Sequence, residues 1–219
     1  MVAPRQPLLL ALDTSTTTAS VALYDGQRVL SETTWLAGRE HSSRLLVEIA
    51  ALLERVGLER GDLTGLVAAR GPGSFTGVRV ALSVAKGIAA GLGLPLWGVG
   101  SLDVLARAAG LSDLPVCAVL EAGRGRYATG LYRGLEPSEP PRSATLDELL
   151  ACIGEPTLVI GELAAAARTR LAAETPARLV SPAASPRRAG YLAELGWLAA
   201  QAGDPGDPNP VDAFYLPPR

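Results

Sequence analysis

The chain has 219 residues, a formal net charge of −2 and two cysteines. That length buries a full core in one large or two smaller domains, and the near balance of charge argues against an intrinsic nucleic-acid surface. Charged residues make up 19% of the chain, below the usual ~25%, so non-polar surface is in excess and points to a partner protein. Cys117 and Cys152 sit in apolar contexts with no close spacing, which reads as two buried free thiols in a reducing cytoplasm. Leu8–Leu12 is too short for the core of a signal peptide, and no uninterrupted apolar run reaches the ~20 residues of a membrane span.

In chain order, Leu8–Leu12 reads as a buried strand ending at Asp13-Thr14-Ser15. Thr18–Tyr24 is a second strand closed by an Asp25-Gly26 turn, and Val29–Leu36 a third, so three antiparallel neighbours are expected. His41-Ser42-Ser43 opens a helix to Val56 whose apolar face carries Leu45, Leu46, Ile49, Leu52, Leu53 and Val56, with Gly57 as its C-cap. Gly65–Ala69 is a buried strand. Gly71-Pro72-Gly73 makes a tight turn, and Ser74 caps a long helix to Leu92. Leu94–Val99 is a further strand and Leu102–Ala109 a short helix. From Val116 the pattern restarts: strands Val116–Glu121 and Arg126–Tyr132, a Pro-containing loop Gly134–Arg142, helix Leu146–Ile153, strand Thr157–Ile160, helix Leu163–Ala173 and a brief strand Arg178–Val180. Ser185 caps a last helix from Pro186 to Gln201, and the Pro-rich tail from Gly203 is expected to be extended and partly mobile. The second half echoes the first, which predicts two domains, residues 1–105 and a smaller 106–219.

The segment around Gly71 sets up the chemistry. A strand, a glycine turn and a helix N-terminus can bind an anion, because unpaired N–H groups and the helix dipole point the same way. Asp13, Thr14, Gly71, Gly73 and Ser74 are therefore the nucleotide candidates. Two known fingerprints fail, however. Gly71, Gly73 and Gly77 miss the dinucleotide spacing by one residue, and Val78-Arg79 follow Gly77 where a phosphate loop needs Lys then Ser or Thr. The long helix says more. At ~100° per residue its non-polar arc is roughly 220° wide, where covering one core needs about 100°. A helix so broad is packed on two sides, by its sheet and by a partner. Leu45, Ile49 and Leu52 on the first helix, with Val78, Ala81, Ala85, Ile88 and Ala89 on the second, are the interface candidates. His41 is the only histidine, and no Cys or carboxylate cluster has metal-ligand spacing, so no metal site is expected. The Glu121–Arg126 turn reads as an exposed strand connection.

Taken together, Leu10-Ala-Leu-Asp13-Thr-Ser15, Ser20-Val-Ala22, Arg39-Glu-His-Ser42, Arg70–Arg79, Ala85-Lys-Gly87, and Gly98-Val99 followed by Ser101-Leu102 resemble the TsaB (YeaZ) family. These are accessory subunits in bacterial tRNA threonylcarbamoyladenosine synthesis. Leu120–Tyr127 and Phe214–Leu216 extend the likeness, with Glu121 where the family usually has Asp and Pro217-Pro218 after the Tyr-Leu pair. The resemblance implies an α/β actin-like ATPase (ASKHA) fold, with two domains that each hold a mixed five-stranded sheet flanked by helices, the second reduced. It also implies a non-catalytic scaffold that pairs with the catalytic subunit TsaD and with TsaE, reaches tRNA only through that complex, and forms a homodimer alone. No intrinsic cofactor is implied; ATP and Mg²⁺ belong to the assembled complex. The catalytic paralogue carries a His-x-x-x-His metal segment just after the strand equivalent to Leu94–Val99, and here Gly98–Ala106 holds no histidine. The alternative is an actin-fold kinase or ATPase using Asp13 and the Gly71–Ser74 turn.

Overall fold

The structure is a computed structural model that describes residues 6–37 and 41–216, without the side chains of 41–43. The Arg39-Glu-His-Ser42 motif and Pro217–Arg219 therefore lie outside the described residues or side chains. The described residues fall into two units. The first holds residues up to Arg70, Phe75–Val99 and Arg188–Ala213; the second holds Gly71–Ser74, Gly100–Arg187 and the residues from Phe214 on.

In the first unit, strands β1 (Leu9–Asp13), β2 (Thr18–Tyr24), β3 (Val29–Leu36), β4 (Gly65–Ala69) and β5 (Leu96–Val99) form one sheet in the order β3-β2-β1-β4-β5. β1, β2 and β3 are antiparallel, while β4 and β5 run parallel to β1. β1 and β4 are buried along their whole length, so both faces of the sheet must be covered. Helices α1 (His41–Arg55) and α2 (Phe75–Leu92) share one core with Leu10, Leu12, Val21, Leu23, Leu66 and Ala68. α2 has the length and apolarity of a membrane span, but Val78, Ala81, Ala85 and Ala89 are committed to this core.

The opposite face is covered from far along the sequence. The last helix packs across the first sheet, and its Gly196 lies so close to Val67 that a Cβ there would come within 2.3 Å of the valine side chain. Domains of 1–105 and 106–219 therefore need correction. The chain leaves the first unit at Gly100 and returns to it at Arg188. The helix also starts later than expected, at Ala189, after a short 3₁₀ turn at Pro182–Ala184. Arg187, 1% exposed, pairs with Glu162 of the second unit at 2.6 Å, and Arg188 is the extended N-cap from which the helix starts.

In the second unit come α3 (Ser101–Ala109), β6 (Val116–Gly123), β7 (Arg126–Arg133), β8 (Glu136–Pro137), β9 (Arg142–Thr145), α4 (Leu146–Cys152), β10 (Thr157–Gly161), α5 (Ala165–Glu174) and β11 (Ala177–Leu179); the returning helix is α6 (Ala189–Gln201). The second sheet has six strands rather than five among the described residues. Its order is β11-β10-β6-β7-β8, with β9 also on β7. Two of the six, β8 and β9, are not among the strands expected from the sequence: β8 falls inside the Pro-containing loop and β9 starts at its last residue, Arg142. β8 is an edge piece two residues long, a position where proline is tolerated because its missing N–H faces no partner. α3 covers one face, with Leu102, Leu105 and Ala106 against Val116, Ala118 and Leu120; α4 and α5 cover the other, with Leu149, Ala167 and Leu171 against Cys117, Val119 and Val159. Gly161 sits at φ 129° with its Cβ position 1.9 Å from the Val119 carbonyl oxygen, which excludes any side chain.

Two acids inside this unit make it sensitive to base. Burial, with a smaller push from Cys152, raises the Cys117 thiol from 9.0 to about 12, against a partial offset from Arg142. Burial, together with the charge of Asp103, which accepts the phenol hydrogen bond at 2.7 Å, raises Tyr132 further above its usual 10.0. The unfolded chain loses both protons first, so the folded form is favoured fully below pH ~9 and progressively less above it. The unfolding free energy from urea titration is expected to fall between pH 9 and 10.5 by about 1–2 kcal/mol, and Cys117→Ala should remove part of that slope.

Candidate functional site

Of the expected interface residues, Leu45, Leu52, Val78, Ala81 and Ala85 are fully buried and Ile49 and Ala89 nearly so. They lie in the core that the helix pair shares with the sheet, where a second protein does not reach them. This corrects the sequence reading. Only Ile88 among the eight is partly exposed. Periodicity identifies an apolar arc but not which edge of an over-wide arc turns inward, and the small residues turned inward because they let α2 approach the sheet closely.

The outward side of the same two helices is apolar as well. Leu46 is 55% and Val47 66% exposed on α1, and Leu92 is 42% exposed at the end of α2. Between the helices and the 3₁₀ turn Arg60–Asp62 runs a groove of about 620 Å³, floored by Leu46, Ile49, Leu53, Leu58 and Ile88, with Glu54, Glu59 and Arg60 supplying its charges. A second hollow of about 420 Å³ continues it along α2 past Val84, Gly87, Ile88 and Leu92. Leu46, Val47 and Leu92 thus leave an apolar patch exposed on this side of the helix pair. The signal that could have found it was Leu46-Val47, two apolar residues running beside the Leu45–Val56 stripe.

The nucleotide candidates divide between the units: Asp13 and Thr14 in the first, Gly71, Gly73 and Ser74 in the second. Asp13 is 1% exposed, and its Oδ1 accepts the Ser15 N–H at 2.7 Å in an Asx turn. Thr14 Oγ1 donates to the Gly77 carbonyl at 2.6 Å and accepts the Ala81 N–H at 3.1 Å. Its hydroxyl is thus inserted where a helix would close its own 77-to-81 bond, tying β1 to α2. Gly71 takes φ 100°, with a cis bond to Pro72, and its carbonyl accepts the Ser101 N–H at 2.8 Å. Among the described residues, no three His, Cys, Asp or Glu side chains lie close enough together to hold a metal ion.

The comparisons with known proteins bear on the helix pair directly. Residues 35–189 match the family model described as "TsaD: tRNA N6-adenosine threonylcarbamoyltransferase", a stretch that includes α1 and α2. The tRNA threonylcarbamoyladenosine biosynthesis protein TsaB of Bacillus subtilis is 34% identical over 160 residues, covering 70% of each chain. The solved structure of YeaZ from Pseudomonas aeruginosa superposes with a TM-score of 0.78 at 26% identity, covering 96% of this chain and all of that one. A ROK hexokinase from Thermus thermophilus shares the fold alone, with a TM-score of 0.50 at 12% identity over 90% of this chain and 99% of its own. Two mixed sheets with the same antiparallel-then-parallel plan agree with an actin-like architecture, and the chain belongs to the TsaB (YeaZ) family.

Proposed function

We propose that this chain is a non-catalytic subunit in tRNA threonylcarbamoyladenosine biosynthesis, working in the cytoplasm and docking the catalytic transferase of that pathway on the outward side of α1 and α2. The observation that carries the reading is the apolar groove lined by Leu46, Ile88 and Leu92, with Val47 exposed next to Leu46 on α1. The choice of occupant rests on the family match. This chain fits the transferase's own family model across α1 and α2, so the transferase would present a related helix pair, and two such pairs can close into a four-helix contact. Alone, the same face would pair two copies of this chain. The non-catalytic part is supported by the sequence, since Gly98–Ala106 holds no histidine and the whole chain has one. Asp13 and Thr14 are engaged inside their own unit, and nothing in the geometry favours the ATPase alternative. TsaE and bound ATP belong to the same proposal, as components of the assembled complex.

The test is co-purification with the transferase from the same organism. Leu46→Glu with Val47→Glu is expected to weaken the complex at least a hundredfold, since central apolar anchors dominate such interfaces, while circular dichroism and melting temperature stay unchanged. Undiminished binding by this well-folded double variant would sink the docking face.

A further inference from the structure

The Pro-rich tail, expected to be mobile, is seated on the first unit. β5 is an edge strand of its sheet, and the tail runs along it. The Leu96 N–H donates to the Gly206 carbonyl at 2.8 Å, and the Trp97 indole N–H donates to the Asp204 carbonyl at 3.1 Å. Val211, 9% exposed, fills the notch over Gly98, where a Cβ would come within 2.7 Å of its side chain. Gly206, at φ 68°, leaves the matching space against Pro95 and Trp97. Asx turns at Asp204 and Asp207, whose carboxylates accept the Gly206 and Asn209 N–H groups at 2.9 Å, shape the tail locally together with Pro205, Pro208 and Pro210. Beyond Val211, Asp212 pairs with Lys86 of α2 at 3.1 Å. Lys86 is the chain's single lysine beside nineteen arginines.

We propose that residues 204–213 form a detachable strap over the β5 edge, seated by Val211 in the Gly98 notch and clasped to α2 by Lys86 and Asp212. An unpaired strand edge is a template for a further strand, so the strap decides whether the sheet ends at β5 or can take another extended segment. Its separability follows from its make-up. It meets the sheet through the Leu96–Gly206 backbone bond and the Trp97 indole bond, follows the helix-ending turn at Gly203, and is pre-shaped by proline and Asx turns, so it can reseat with little loss of chain entropy.

The full chain suffices for the test. With one ε-amine present, acetylation followed by mass spectrometry reads Lys86 apart from the N-terminus, and hydrogen exchange reads the Leu96 amide. Asp212→Asn is expected to speed both by roughly two- to five-fold, the range of an exposed ion pair. Val211→Asp should speed both at least tenfold, because the packing of a nearly buried valine over Gly98 is lost and a carboxylate is desolvated in its place. Amides of β1 should keep their wild-type rates in both variants. Unchanged Leu96 exchange in Val211→Asp overturns the proposal. So does acceleration of β1 in step with Leu96, which would make the tail an inseparable part of the core.

Discussion

Ala85→Glu is expected to prevent the first unit from folding. The position is fully buried between α2 and the sheet, in the same core as Ala81, Val78 and Leu45. A carboxylate placed there must either ionise in an apolar medium, at a cost of several kcal/mol, or remain protonated without a hydrogen-bond partner. It must also find volume in a packed core, which adds about 1–3 kcal/mol. Since a domain of this size is stable by about 5–15 kcal/mol in total, the sum is enough to populate the unfolded state. Far-ultraviolet circular dichroism and urea titration of the purified chain measure it. The control is on the same helix: Ala90 is exposed, and Ala90→Glu should change stability by no more than about 0.5 kcal/mol. A cooperative, wild-type urea transition for Ala85→Glu would show that α2 is not seated as described. A lost partner contact in this variant therefore says nothing about docking, which is why Leu46 and Val47 carry that test.

The second large effect falls on Arg187. Its side chain is 1% exposed and its Nη1 donates to Glu162 Oε1 at 2.6 Å, with Glu162 itself 20% exposed. Removing one member of such a buried pair costs about 3–5 kcal/mol, whereas replacing both by apolar groups of similar size is often neutral. Arg187→Met alone is thus expected to lower the unfolding free energy of the second unit by that amount, and Arg187→Met with Glu162→Leu to recover most of it. Equal loss in the single and double variants would mean that packing of the arginine stem, not its charge, is what matters. Thermal melts of the three proteins side by side are sufficient.

Much of the architecture was legible because it rests on local rules. The bounds of β2, β3 and β4 were read correctly, as was α2 to within a residue, helped by turn and cap residues such as Asp25-Gly26 between β2 and β3 and Ser74 before α2. What stayed hidden was tertiary. Nothing in the period of α6 says which sheet it covers; Gly190 and Gly196 reveal that only once Val29 and Val67 are seen against them. Pro137, Pro140 and Pro141 suggested a loop, and β8 lies inside it and β9 at its end all the same, because pairing to β7 outweighs weak local preference. The site divides in the same way. That α2 is packed on two sides was visible from its over-wide apolar arc, but the assignment of residues to each side was not. Ala81 and Ala85 face the sheet, and the outer side carries Ile88 and Leu92. Thr14 looked like a phosphate ligand, and its hydroxyl serves the backbone of α2 instead.

The return of α6 to the first sheet has a consequence for synthesis on the ribosome. β1 to β5 are complete by Val99, yet the helix that covers their second face ends at Gln201. At about 5–20 residues per second, roughly 5–20 s pass before that cover emerges. During this interval the nascent first sheet exposes the Leu9, Ala11 and Val67 side to solvent, while the second unit, nearly contiguous from Gly100 to Arg187, is being made. The body of the second unit, Gly100–Arg187, is therefore translated before the first unit has the helix that covers its sheet.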